Sequence, residues 1–304
     1  MSSRSPLAKG CLTFLAVFAV SALVVGVAAY LRIPEGARAA VGPVALWSGL
    51  VGGFFLALGG LSASEAVRRV REVGLLRESL AGTPPADGAR IAACGVLVAD
   101  GPQADAPFTG SRAVIYKYAV KARQQKSDTE LCSGYFLTPC HVETAAGSIK
   151  ILGYAEPAFT AAVPAGPEVV ARAGAYFAST SVTPTGMGAL REFNAMLVDD
   201  DGAIKADSGT VPKELENPRL SFVEHSLADR EWVCAFGHYS AERGGLVPNP
   251  ASVDPYAVSL RRGDAAAVRR SLLRAAAGQL AGALLLGGLA IGAVFIVALM
   301  FSER

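Results

Sequence analysis

Three long runs without a charged residue constrain this chain more than any other feature. They cover residues 11–31, 43–63 and 275–301. As a helix, each run is long enough to cross a hydrocarbon core of about 30 Å, which takes roughly 20 residues. The sequence therefore predicts three transmembrane helices. It also predicts three regions: a two-span hairpin over residues 1–63, an aqueous domain over residues 64–274 and a C-terminal span over residues 275–304.

Basic residues gather on one side of these predicted spans. Arg4 and Lys9 precede the first span, whereas the loop between the first two spans carries only Arg32 and Arg38. The other basic residues near the spans are Arg68, Arg69, Arg71, Arg77, Arg261, Arg262, Arg269, Arg270 and Arg274. Because basic residues stay on the cytoplasmic side, the N-terminus and the aqueous domain are predicted to be cytoplasmic and the C-terminus outside.

The composition indicates in which kind of cell the protein occurs and which partners it binds. Arginines outnumber lysines 21 to 7, and alanine and glycine are abundant, as is typical of GC-rich bacterial genomes. We therefore expect a bacterial inner-membrane protein. The formal net charge is only +2, so the charge does not predict nucleic-acid binding. The arginines beside the spans favour the lipid bilayer as a partner, including its anionic headgroups.

A cleaved signal peptide is the competing interpretation of the first apolar run. A signal peptide has an apolar region of about 7–15 residues followed by a small-residue cleavage site. The run over residues 11–31 is longer and ends in Tyr30-Leu31-Arg32, and a second run follows almost at once. We therefore expect the first run to be retained in the protein.

The aqueous domain mixes strand and helix patterns. Val114, Tyr116, Tyr118 and Val120 alternate with Lys117, which is the period of a half-buried strand. Further strands are predicted over residues 91–99, 141–144, 148–152 and 231–239, and helices over residues 64–80, 187–198 and 264–274. This order predicts an α+β domain, built on an antiparallel sheet or a partly open β-barrel with a few short helices, in addition to the three transmembrane helices.

Two blocks of the domain resemble a known family. Residues 107–116 (PFTGSRAVIY) resemble the P-x-(S/T)-G-x-x-(C/A)-V-x-Y signature of the GIDE domain, also called BAM, "beside a membrane". Residues 224–227 and 233–237 are similar to its E-x-x-(L/I)…V-x-x-x-G block. Gly95-Val96, the hairpin over residues 142–151 and the segment over residues 259–264 match further parts of the family pattern. The resemblance singles out Pro107, Gly110, Tyr116, Glu224 and Gly237 as positions of the family motif, without assigning a binding role to any of them.

The resemblance also implies a range of functions. Eukaryotic relatives are mitochondrial outer-membrane E3 ubiquitin or SUMO ligases, whose catalytic RING finger follows the last span. A RING needs eight Cys or His ligands in paired spacings, and this chain contains no C-x-x-C. We therefore expect a sensor, scaffold or membrane-associated interaction domain with a protein partner still to be identified, and an E3-like role stands as the alternative.

The sequence favours neither a metal nor a cofactor. Cys132, Cys140 and His141 come closest to a zinc-ligand set, but neighbouring residues of a strand point to opposite faces. The five cysteines fit a reducing compartment, and their spacing demands no disulfide. We expect Cys132 and Cys140, like Cys94 and Cys234, to be buried core thiols.

A hydrolase is the remaining alternative. It would need a nucleophile beside a base, as in a pairing of Cys140 with His225 or of a serine with His238. Glu224 beside His225 could supply acid–base chemistry or could orient a turn. No G-x-S-x-G elbow is present.

Small residues recur four apart in two of the predicted spans. Gly49 and Gly53 lie in the second span, and Gly288 and Gly292 lie in the third. Small residues at this spacing let helix backbones approach closely. The three helices are therefore expected to pack together or to form a homodimer.

Overall fold

The computed structural model describes residues 6–33, 35, 38–80, 85–123, 128–159, 162–183, 202–247 and 258–302. The helices in this part of the chain are α1 (Pro6–Arg32), α2 (Arg38–Leu80), α3 (Pro167–Ser179) and α4 (Ala265–Ser302). The residues form two compact units, one reaching Val73 and resuming at Arg270, the other covering Gly74–Arg269. The helix predicted over residues 187–198 lies outside the described residues.

Fourteen strands occur in the described residues, all within the second unit. They are β1 (Arg90–Ala99), β2 (Ala104–Asp105), β3 (Arg112–Ala113), β4 (Ile115–Arg123), β5 (Asp128–Leu137), β6 (Cys140–Thr144), β7 (Gly147–Ile151), β8 (Ala155–Pro157), β9 (Ala162–Val163), β10 (Ile204–Gly209), β11 (Leu220–Leu227), β12 (Trp232–Ser240), β13 (Gly245–Val247) and β14 (Val258–Arg262). The strands predicted from the sequence correspond to β1, β4, β6, β7 and β12.

Two helices are long and apolar enough to cross a membrane, by length and composition. They lie within α2, over Leu46–Ser79, and within α4, over Ala265–Gly292. Two of the three predicted spans therefore correspond to helices that could cross a membrane. In α1, which runs from Pro6 to Arg32, the apolar part with described side chains is Leu15–Leu31, so the first of the three spans stays a prediction.

Within the first unit, α1 and α2 approach each other through small residues. A Cβ atom added to Gly49 would lie 2.8 Å from the Cα of Gly26, and one added to Gly53 would overlap the backbone of Ala22. Only glycine fits at such a backbone contact. The predicted close packing at Gly49 and Gly53 is thus confirmed, and it occurs within one chain. A Cβ on Gly288 would meet open space, so the homodimer stays a prediction.

We expect Gly53→Leu to disrupt the packing of α1 on α2, because its side chain would displace the Ala22 backbone. Overpacking of this kind costs about 1–3 kcal/mol. Gly60→Leu is the matched control, since a Cβ at Gly60 of the same helix meets nothing within 4 Å. Thermal unfolding of the full chain in detergent should show a lower Tm for Gly53→Leu alone. Equal Tm values for the two variants would contradict the close packing.

The second unit contains a closed β-barrel. Strands β1, β6, β7, β13 and β12 pair in that order, and β12 pairs back with β1. The pairs β7–β13 and β14–β8 are parallel, whereas the others are antiparallel. The predicted α+β class is therefore confirmed, while the expectation of a partly open barrel is corrected to a closed barrel with mixed strand directions. Its core includes fully buried aliphatic side chains of the ring strands, such as Leu97, Val142 and Leu246.

A five-stranded antiparallel sheet, in the order β10-β5-β4-β11-β9, lies beside the barrel within this unit. Its central strand β4 shows the predicted alternation from Tyr116 onward, whereas Val114 precedes the strand and belongs to the core shared with the barrel strands. Ile115 packs into the core shared with the barrel strands, whereas Tyr116, Tyr118 and Val120 belong to a second core that includes Val169 of α3. The sheet therefore forms a common wall between two cores, as the period of two requires when both faces are buried.

Candidate functional site

The PxTG motif forms a tight loop between β2 and β3, which we call the motif loop (residues 106–111). The Ala106 nitrogen donates to the Ser111 carbonyl over 2.9 Å, and the Gly110 nitrogen donates to the Ala106 carbonyl over 2.9 Å. Gly110 has a φ of +68°, in the left-handed region that glycine adopts at little cost. This backbone conformation explains the glycine of the motif.

Glu224 holds the motif loop from beneath. Its Oε2 accepts hydrogen bonds from the backbone nitrogens of Phe108 at 2.6 Å and Thr109 at 3.3 Å. Its Oε1 accepts a hydrogen bond from the Thr109 hydroxyl at 2.5 Å. Glu224 is only 2% exposed, whereas Thr109 is exposed. A buried carboxylate therefore anchors an exposed loop, and the two motif blocks of the sequence meet at this contact.

The bonding of Glu224 indicates positioning rather than acid–base chemistry. Both of its carboxylate oxygens are engaged by donors of the loop, which compensates for the loss of water around a buried charge. The loop is also held from α3, where the Arg172 Nε donates to the Phe108 carbonyl over 2.8 Å. Glu224 and Arg172 together fix the conformation of the motif loop.

Three hydroxyls line the outer surface of this loop, and we call them the hydroxyl row: Thr109, Ser111 and Ser226. The Thr109 and Ser111 hydroxyls are 2.8 Å apart, and the Ser111 and Ser226 hydroxyls are 3.4 Å apart. The Arg262 Nη2 donates to the Ser226 carbonyl over 2.5 Å. Arg262 is also paired with Glu231, whose Oε1 lies 2.5 Å from the Arg262 Nε. The site therefore offers hydrogen-bonding groups beside an ion pair.

Tyr116 lies on the same side of the sheet, where it opposes Ser226 in the β4–β11 ladder. Its hydroxyl is 3.2 Å from that of Tyr176, which donates to the Asp207 Oδ1 over 2.7 Å. Tyr118 donates to the same oxygen over 2.6 Å. Burial is the largest cause that raises the pKa of Tyr116, to about 12.

Glycine is required opposite this tyrosine network. Gly134 pairs with both Tyr118 and Asp207 in the neighbouring ladders. A Cβ added to Gly134 would overlap the Tyr118 ring and the Asp207 carboxylate. No sequence pattern indicates Asp207, Tyr176 or this role of Gly134, because these residues come together only through strand pairing and the packing of α3.

Gly237 lies apart from the motif loop, in the barrel strand β12. Its neighbours Phe236 and His238 pair with β14 and β13 respectively, so Gly237 marks the point where one edge of β12 changes partner. A Cβ at Gly237 would lie 3.3 Å from the Cβ of Leu246. The structure thus brings together Pro107, Gly110, Tyr116 and Glu224 of the predicted positions and assigns Gly237 a packing role.

A second polar cluster lies on the opposite face of the sheet. The Lys117 Nζ is 2.5 Å from the Glu156 Oε1, and the Tyr154 hydroxyl donates to the Glu156 Oε2 over 2.5 Å. His225 opposes Lys117 in the ladder, and its ring centroid is 5.6 Å from that of Phe159. Burial, followed by the Lys117 charge, lowers the pKa of His225.

The groups of the hydrolase interpretation, Glu224, His225 and His238, are dispersed, as is His141 of the zinc-ligand set. His141 pairs with Asp100 over 2.8 Å at the barrel surface, and the His238 Nδ1 is 3.1 Å from the Gly88 carbonyl. Glu224 and His225 point to opposite faces of β11. Among the described side chains, no group of three or more His, Cys, Asp or Glu could hold a metal ion.

The cysteines correct one expectation. Cys132 and Cys140 are buried and free, as predicted, and burial is the largest cause that raises the pKa of Cys132, to about 12. Cys94 and Cys234 are instead joined by a disulfide across β1 and β12. The spacing could not reveal this pair, because its cysteines are 140 residues apart and meet only when the barrel closes.

Removing the Glu224 carboxylate should destabilise the domain. We expect Glu224→Ala to lower the free energy of unfolding by about 3 kcal/mol, because it leaves the Phe108 nitrogen without its acceptor. Glu224→Gln should cost about 1 kcal/mol, since the amide keeps one oxygen and can donate to Thr109. Glu216→Ala, at an exposed position before β11, is the control. Denaturant unfolding that does not separate Glu224→Ala from the control would exclude the anchoring role.

His225 should make stability depend on pH. Because its pKa is lowered in the folded state, its contribution is fully present above the ordinary histidine pKa of about 6.5 and is lost as the pH falls through the folded value. We expect the change in unfolding free energy between pH 7.5 and pH 5 to be smaller in His225→Asn than in the unmodified chain. Identical pH profiles would show that His225 contributes nothing.

Comparison with known proteins assigns no function to this chain. The chain matches no protein-family model, no curated protein and no solved structure. The resemblance of its motifs to the GIDE/BAM family therefore stays a prediction. The anchored motif loop is the feature on which a functional proposal can rest.

Proposed function

We propose that this chain is a membrane-anchored GIDE/BAM-like module, in which the aqueous domain acts as a sensor, scaffold or interaction domain at a bacterial inner membrane. Two apolar helices of membrane-spanning length support the anchoring. The distribution of basic residues supports a cytoplasmic N-terminus and domain, with the C-terminus outside. The contact between Glu224 and the motif loop supports the family assignment, because it joins the two blocks that carry the resemblance.

The anchored motif loop carries the proposal of an interaction role. Thr109, Gly110 and Ser111 are exposed, while Glu224 beneath them is buried and Arg172 holds the Phe108 carbonyl. A loop that is already ordered loses little conformational entropy when a partner binds. The hydroxyl row and the Arg262 guanidinium supply donors and acceptors for a polar partner surface.

The membrane is the second partner in this proposal. Basic residues beside the predicted spans attract anionic headgroups by about 1 kcal/mol each near the surface. A domain linked to apolar helices at both of its ends has restricted access to partners far from the membrane. These features favour a protein partner that is itself at the membrane.

A photo-crosslinking residue at Ser111 tests the interaction role. In membranes that contain the full chain, we expect a discrete protein adduct at this position, because Ser111 lies in the centre of the hydroxyl row. The same residue at Glu242, an exposed position after β12, is the control. The adduct should decrease in Glu224→Gln, which loosens the loop while retaining the fold. Adducts that are equal at both positions, or insensitive to Glu224→Gln, would count against the proposal.

A further inference from the structure

A row of three side chains crosses the outer face of the barrel. Cys94 of β1 opposes Cys234 of β12, and Cys234 opposes Arg261 of β14. Directly opposed residues project to the same face of a sheet. Their neighbours Ala93 and Val233 belong to the barrel core, so the row lies on the other face. The disulfide therefore has an arginine as its immediate cross-strand neighbour.

The disulfide is not needed to align its two strands. Six residue pairs besides the cysteines hold β1 against β12, and the Leu97 nitrogen donates to the Glu231 carbonyl beyond them. In the proposed orientation the domain faces the cytoplasm, where thiols are normally kept reduced. Disulfides that form in such a compartment are usually transient and catalytic or redox-sensing. A bond at this place is therefore expected to form conditionally.

The two cysteines differ in access. Cys94 is half-buried, whereas Cys234 is fully buried, with its sulfur 3.9 Å from the Gly263 carbonyl. A neighbouring cation favours the thiolate, which is the nucleophile in disulfide formation. Arg261 opposes Cys234, and its guanidinium lies over the ring of Phe236, two residues further along the same face. A small oxidant can thus reach Cys94, while Cys234 is placed to react with it.

We propose that Cys94 and Cys234 form a reversible, peroxide-sensitive dithiol–disulfide pair and that this pair is the input of the sensor. The inference deepens the proposed function and rests on its cytoplasmic orientation. Arg261 acts as a positioning residue that favours the Cys234 thiolate.

The chemistry takes two steps. The Cys94 thiolate attacks hydrogen peroxide, the O–O bond breaks, and Cys94 becomes a sulfenic acid while one water leaves. The Cys234 thiolate then attacks the Cys94 sulfur, the S–O bond breaks, and a second water leaves with the disulfide formed. Two thiols have lost two electrons and two protons to the peroxide. A cellular dithiol reverses the reaction by thiol–disulfide exchange.

The position of the pair suggests how its state is transmitted. Gly263 links β14 to Asp264, which caps α4 by accepting a hydrogen bond from the Ala267 nitrogen over 2.7 Å. The Gly263 nitrogen donates to the Trp232 carbonyl over 2.7 Å. Oxidation therefore changes the Cys234 sulfur, which lies 3.9 Å from the Gly263 carbonyl at the connection that leads into α4.

Counting reactive thiols on the full chain in native membranes tests the inference. Membranes are quenched with acid, denatured and labelled with a maleimide polymer, which adds one step in gel mobility per free thiol. The chain has five cysteines. We expect mainly five labels in unstressed cells, mainly three after brief hydrogen peroxide, and five again after dithiothreitol. Cys94→Ser should give four labels both in unstressed cells and after peroxide. The control Cys132→Ser should give four labels in unstressed cells and two after peroxide.

The role of Arg261 is tested by the rate at which labels are lost after peroxide. Arg261→Gln should slow the peroxide-dependent loss of labels several-fold without changing its end point, and Arg261→Lys should retain most of the rate. Equal rates in all three chains would remove Arg261 from the proposal. Five labels after peroxide would overturn the reactivity of the pair.

The orientation is measured separately, with alkaline phosphatase fused after residue 304. Phosphatase is active only outside the cytoplasm, so activity is expected. Three labels in unstressed cells together with an inactive fusion would overturn both this inference and the proposed orientation. Three labels with an active fusion would overturn the inference alone, because the disulfide would then be permanent in a cytoplasmic domain.

Discussion

The five-stranded sheet has to satisfy two cores at once, and the rest of the aqueous domain depends on this constraint. Along β4, Ile115 enters the core shared with the barrel, whereas Tyr116, Tyr118 and Val120 enter the core that includes α3. A shift of the ladder by one residue would exchange every side chain between the two cores. The register that places Ile115 in one core therefore also places Tyr116 and Tyr118 in the other.

This register determines where polar groups are buried. Glu224 and Asp207 lie on the α3 side of the sheet with less than a tenth of each exposed, and each is bonded to donors from more distant segments. A buried carboxylate without such partners would be costly. The motif loop and the tyrosine network can therefore be understood as the partners that a two-core sheet requires. The same bonds leave an ordered, polar surface above Glu224.

The barrel imposes a different constraint, because closing the ring brings β1 against β12 although 140 residues separate their cysteines. Closure creates the row of Cys94, Cys234 and Arg261, and it places Gly237 where β12 changes partner. The row and the motif loop lie on different sheets. The proposed redox input and the proposed recognition surface are therefore distinct places in the fold, which separate variants can address.

Local pattern alone determined much of this protein. The apolar runs predicted the two long helices, the alternation around Tyr116 predicted β4, and the motif blocks directed attention to Gly110 and Glu224. The closed barrel, the Cys94–Cys234 bond and the Asp207 network were decided only by tertiary structure. Periodicity reports which face of one element is buried, but it carries no information on which distant strand will cover that face. Those pairings depend on ring closure and on the packing of α3, and neither leaves a signal in the spacing of residues along the chain.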